Sequence, residues 1–196
     1  MTSPHHEVAI AATQYWLEKV VIGENFCPFA KREYERKRIH FQLCTNDSFD
    51  EQVVAVLKEC QRLLDNSEIE TTLIIYAPPS EELSAGNHCI GDFNDFLGVA
   101  EHAQALMSEA GLDGELQLAT FHPDYCFAGE HQESASNYTN RSPFPILHLI
   151  REASIERALK TYKDPESIPD INIARAEALG VEHFTALLKA SLQANN

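Results

Sequence analysis

Between Arg38 and Phe121 the hydrophobic period changes back and forth between two and 3.6 residues, and this alternation leaves the chain few architectures. Ile39, Phe41 and Leu43 alternate with His40 and Gln42, the pattern of a strand with one buried face. Ser48-Phe49-Asp50-Glu51 has the form of a capping box, and Phe49, Val53, Val56, Leu57, Cys60 and Leu64 then trace one face of a helix. Thr71 to Tyr76 (TTLIIY), closed by Pro78-Pro79, suits a strand buried on both faces. Asp92 caps a second helix, with Phe93, Phe96, Leu97, Ala100 and Met107 inward and Gly111 as its stop. Glu115 to Phe121 supplies a third strand. Strands joined by helices long enough to cross over form βαβ units, so the sheet is at least partly parallel.

The flanks fit around that centre. Ser3-Pro4 starts an N-terminal helix whose apolar positions Val8, Ala11, Ala12, Tyr15 and Val20 run to a Gly23 stop. Pro145 to Arg151 (PILHLIR) is apolar and short, and we read it as a fourth strand, with Ser154 capping the helix that follows. The tail from Asp170 is helical and broken or bent at Gly180, with Phe184, Leu187 and Leu188 on its apolar side. At 196 residues, 44% hydrophobic, the chain has material for one ample core, whereas two domains would each approach the lower size limit. The expected fold is a single α/β domain over residues 1–196, a partly parallel sheet of three or four strands flanked by helices.

Charge and cysteine usage narrow the partners. Fifteen basic against thirty acidic residues give a net charge of −15, which repels phosphate backbones and argues against nucleic acid. No apolar stretch approaches the roughly 18 residues of a membrane span. The first residues have neither the basic flank nor the apolar core of a signal peptide, so a cytoplasmic protein without a membrane partner is expected. Five widely spaced cysteines without a CxxC pair fit reduced thiols. Five of the fifteen basic residues, Lys31, Arg32, Arg36, Lys37 and Arg38, fall within eight positions. Interleaved with Glu33 and Glu35 they read first as a solvated helix end, and second as a local anion site.

The stretch from His122 to Pro143 lacks regular periodicity and is polar in its chemistry. Twenty-two residues separate Phe121 from Phe144, and loops of that length inside a compact domain are functional or disordered. Tyr125, Phe127 and Tyr138 give it apolar anchors, so an ordered loop is the better reading. It leaves the carboxyl end of the third strand, the edge at which open α/β sheets bind ligands.

Four segments in this order, Asn25-Phe26-Cys27-Pro28-Phe29-Ala30, Phe93-Asn94-Asp95-Phe96-Leu97, Phe121-His122-Pro123-Asp124-Tyr125 and Asn140-Arg141-Ser142-Pro143 with Leu147 to Glu152, resemble the bacterial family catalogued as domain of unknown function 1415. The resemblance spans most of the chain and implies that Cys27, His122, Asn140, Arg141 and His148 belong to the family pattern. Cys126 stands where that pattern requires no thiol. No activity comes with the resemblance.

Three readings of these groups stay open, and whether the protein is an enzyme stays open with them. In the first, a cysteine enzyme, Cys27 is the nucleophile, His122 the general base and Asn140 an orienting amide. Arg141, with Ser142, Tyr125, Lys31 and Arg32, then binds a small anionic substrate. In the second, a non-catalytic module uses Arg141, Asn140, Lys31 and Arg32 to hold a small anionic or phosphorylated metabolite. In the third, His122, Asp124 and Cys126 converge from an extended backbone on a metal ion, with His131 or His148 completing the site. The cysteine-enzyme reading has a slight preference. It assigns no metal and implies no cofactor, since no GxGxxG, GxxxxGK[ST] or GxSxG pattern occurs. Asp92 and Asp95 resemble a carboxylate pair, but capping explains their spacing.

Overall fold

The period-two stretches are strands and the 3.6-period stretches are helices in the computed structural model, which describes residues 4–78, 89–160 and 162–194. Helix α1 (Pro4–Trp16) runs into a π-helix (Leu17–Ile22). There follow α2 (Ala30–Glu35), β1 (Ile39–Cys44), α3 (Phe49–Asp65), β2 (Thr71–Tyr76), α4 (Phe93–Glu109) and β3 (Leu116–Phe121). After a 3-10 turn at Ala135–Thr139 come β4 (Ile146–Arg151), α5 (Glu152–Leu159), α6 (Ile168–Leu179) and α7 (Val181–Gln193). Among the described residues no helix is long and apolar enough to cross a membrane. Ser3 and Pro79, expected to open the first helix and close β2, lie outside the described residues.

The sheet order is β1-β2-β4-β3. β1 pairs in parallel with β2, Ile39 opposite Thr71, while β4 is antiparallel to both β2 and β3. β1, β2 and β3 therefore point the same way, and β4 is threaded between the last two against them. The fold is a single-domain α/β architecture on a mixed, partly parallel sheet. Cys44, Tyr76 and Phe121 end their strands on one edge, and the 122–145 connection starts there.

β2 is buried along its whole length because both faces of the sheet are covered. Leu73, Ile75 and Ile146 of the sheet join one core with Trp16, Val20, Phe26 and Phe184, drawn from the two ends of the chain. Ile74 and Tyr76 join the other with Val56, Cys60, Phe96, Val99 and Met107, drawn from the crossover helices α3 and α4. Cys60, only 2% exposed, is packing in this second core.

Several local expectations change. α3 begins at Phe49 as its pattern requires, but the Ser48 side chain does not cap it, and Glu51 instead accepts from Asn46 Nδ2 at 3.0 Å. Its buried stripe passes through Leu63, leaving Phe49 and Leu64 44% and 42% exposed, because the helix meets the sheet along a line one residue away from the expected one. Asp92 and Asp95 form a true capping box on α4. α5 starts two residues before Ser154, whose hydroxyl donates to the Glu70 carboxylate. The break at Gly180 is as expected: its φ of +79° lies where a side chain would be strained.

The π-helix was not foreseen. The Gly23 amide donates to the Glu18 carbonyl at 3.0 Å and the Phe26 amide to the Val21 carbonyl at 2.9 Å, both five residues apart. A Cβ at Gly23 would stand 2.3 Å from the Lys19 carbonyl oxygen, so the wide turn requires glycine there.

Candidate functional site

The long connection after β3 is ordered from within by one amide. Asn137, with no exposed surface, accepts from the Phe127 amide at 3.0 Å and donates to the carbonyls of His131 at 2.8 Å and Gln132 at 3.3 Å. Two branches of the loop are thereby closed around a side chain that the motif reading passed over. The signal was local: an Asn in a stretch without periodicity, where the backbone must find side-chain partners.

Arg141 completes the clasp. Its Nε donates to the Tyr125 carbonyl at 3.1 Å, its Nη2 donates to the Gln132 carbonyl, and the guanidinium lies over the Tyr138 ring, 4.7 Å from the centroid. Its own carbonyl accepts from Trp16 Nε1 at 2.9 Å, joining the loop to α1. The buried Ser142 hydroxyl donates to the Phe144 carbonyl at 2.6 Å. Arg141 and Ser142, expected as substrate ligands, thus spend these donors on the protein. The Tyr125 ring packs on Phe93 and Phe127, with centroids 5.3 and 4.9 Å away.

Where the loop meets the Cys27 turn there is a cleft of about 310 Å³. Val21 from the π-helix, Phe26 and Cys27 from the turn, Phe121, and Phe127, Thr139 and Asn140 from the loop supply one part of its wall. Ile168, Pro169, Asn172 and Ile173 of α6 supply the rest. Among these lining residues none carries a charge. Asn140 Nδ2 donates to the Thr120 carbonyl at 3.3 Å and its Oδ1 accepts from Thr139 Oγ1 at 3.1 Å, which leaves one amide hydrogen and one lone pair unspent.

Cys27 and Asn140 therefore line one cleft, a mainly apolar one. Burial pushes the Cys27 thiol above its ordinary value, against the backbone amides of Phe29 and Ala30, whose hydrogen bonds to the sulfur favour the thiolate.

His122 is elsewhere. One residue beyond Phe121, it faces the opposite side of the sheet, fully buried between Phe93 and Phe96 with ring centroids 5.0 and 5.2 Å away. Its Nδ1 accepts from the Asp124 amide at 3.0 Å, so the neutral ring carries its proton on Nε2. Phe121, by contrast, packs edge-on to Trp16 in the first core. The period of two that makes β3 a strand is what separates the proposed nucleophile from the proposed base.

The remaining candidates are placed as follows. Lys31 and Arg32 sit on α2 with side chains 70% and 69% exposed, beside Glu35 and Glu33 at 4.0 and 3.7 Å. The Cys126 thiol lies against the Glu130 and Phe127 carbonyls at 3.5 and 3.7 Å. Among the described residues no three His, Cys, Asp or Glu side chains are close enough to hold a metal ion, so His122, Asp124 and Cys126 do not converge, with or without His131 or His148. His148 bonds Thr71 Oγ1 through Nε2 at 2.6 Å, and burial lowers its pKa to about 4.

A family model described as a protein of unknown function (DUF1415) matches residues 8–186. No curated protein and no solved structure matches the chain.

Proposed function

The chain belongs to the DUF1415 family, and from that premise we propose that it binds a small, uncharged, largely apolar molecule in the Cys27 cleft. The observation that carries this reading is the lining: about 310 Å³ walled by six apolar side chains and the Pro169 ring from five segments, with Cys27, Thr139, Asn140 and Asn172 as its polar, uncharged groups. Small-molecule sites are concave, mainly apolar and oriented by a few polar groups, and this cleft falls at the lower end of their usual size.

The anionic ligand inferred from the sequence loses its clamp, because Arg141 is bonded to carbonyls and Lys31 and Arg32 extend into solvent. Catalysis by Cys27 keeps one supporting feature, the Phe29 and Ala30 amides directed at its sulfur. Against it stand the burial that outweighs those amides and the absence of His122 from that face. Binding is therefore the stronger reading.

The thiol makes the test direct. Iodoacetamide and iodoacetate differ chiefly in charge, so their relative rates at Cys27, normalised to the same ratio at loop Cys126, report what the cleft accepts. The neutral reagent should be favoured at Cys27 by about tenfold, and Ile173→Trp, which fills the cleft, should remove most of the labelling. Equal normalised ratios, or a preference for iodoacetate, would return the site to an anionic ligand.

A further inference from the structure

The wall that α6 contributes to the Cys27 cleft is attached differently from the others. Ala176 is the single buried residue among those described in α6, and Ile171 is 52% exposed. What holds the helix against the Cys27 turn is polar. Asn172 Nδ2 donates to the Phe26 carbonyl at 2.7 Å, and the Arg175 guanidinium meets Glu24 Oε2 at 2.8 Å. From α7, His183 Nε2 meets the other Glu24 oxygen at 2.8 Å. Glu24 follows the π-helix and stands three residues before Cys27, so one carboxylate ties both C-terminal helices to the turn that carries the cleft's thiol.

We propose that α6 is a latched wall of the cleft, with Glu24 as the latch: release of its two partners lets α6 move off the Cys27 turn and admits the ligand. The proposal rests on the cleft being the binding site. A helix with little buried apolar surface opens at a small fraction of the cost of global unfolding. Arg175 and His183 are part-exposed, and the more enclosed Glu24 carboxylate, 11% exposed, is uncovered as α6 leaves, so water can rehydrate both sides of the tie. Gly180, joining α6 to α7 at φ +79° with open space where a Cβ would be, sits where a hinge must absorb backbone rotation. The polar ties also return α6 to one position, which a purely apolar contact along a thin stripe would specify less well.

Glu24→Gln tests the latch in the full-length chain. Cys27 labelling by iodoacetamide should accelerate about fivefold, the order expected for losing one part-exposed ion pair and one hydrogen bond to a histidine. Hydrogen exchange at the α6 amides should rise alongside it, while Cys60 in the opposite core stays protected. Arg175→Gln, which spares the His183 bond, should give a smaller acceleration in the same direction. An unchanged Cys27 rate in Glu24→Gln overturns the latch, and so does an equal acceleration at Cys60, because that marks global opening. The charge preference at Cys27 in the unaltered protein does not involve Glu24. Its loss would remove the uncharged ligand and leave the measured opening intact.

Discussion

The two faces of the sheet are covered by different kinds of chain. On one, α3 and α4 lie between successive parallel-running strands, and their apolar stripes bury Val56, Cys60, Phe96 and Met107; a cleft of about 330 Å³ between the first turns of these helices has the carboxylates of Asp47 and Asp95 in its wall. On the other, helices from both chain ends meet the long loop, and rings such as Phe26, Tyr138 and Phe184 stack across segments far apart in sequence. The first layer is a by-product of crossing over; the second has to be assembled from distant parts, and polar ties set its geometry. Each face carries a cleft, and the one on the second face is lined without a charged side chain, which is why the candidate site for an uncharged molecule belongs there.

His148 gives the largest test of this contrast, because it belongs to the assembled face and is kept neutral by burial. Its pKa of about 4 lies below the roughly 6.5 of an unfolded histidine. The unfolded chain therefore takes up a proton that the folded chain refuses as pH falls from about 6.5 to about 4. Stability from this group is complete above pH 6.5 and declines through that window, by roughly 3 kcal/mol at most, at about 1.4 kcal/mol per unit. Urea denaturation of His148→Gln against the parent protein should lose that part of the pH slope. An unchanged slope would mean the assembled face is as open to water as the loop surface.

Asn137→Ala comes next, at about 2 kcal/mol, since it strands the part-buried Phe127 amide and frees the His131 and Gln132 carbonyls. Its mark should be regional, with exchange rising at the loop amides around Phe127 and no change in α3 or α4. A uniform rise would deny that the two faces are stabilised separately.

The same contrast explains what could be read in advance. β1, β2 and β3 were legible because alternation and β-branched runs are local consequences of burial, and the crossover helices because their stripes face the sheet beside their own strands. The place of β4 between β2 and β3 was not, since PILHLIR carries an apolar run but nothing that selects its neighbours. At the site, Cys27 and Asn140 were named and do share a cleft, and the loop's position at the strand end was readable. The partition of Phe121 and His122 to opposite faces was also available from the period of two, but a motif read as a block conceals it. The α6 wall could not be read, because Ile168, Pro169, Asn172 and Ile173 become neighbours of Cys27 only through tertiary packing.

Arg141→Lys is the smallest of these changes and the sharpest on function. If the guanidinium is a clasp, lysine keeps the charge but cannot reach the Tyr125 and Gln132 carbonyls in one fork or lie flat on Tyr138. The expected cost is about 1 kcal/mol in denaturation, with faster exchange in the loop and the neutral-over-anionic preference at Cys27 retained. If Arg141 instead serves an anion, stability should hardly move while iodoacetate labelling of Cys27 falls relative to iodoacetamide. The two outcomes have opposite signatures because a clasp acts on the wall of the cleft, whereas a ligand acts on its contents.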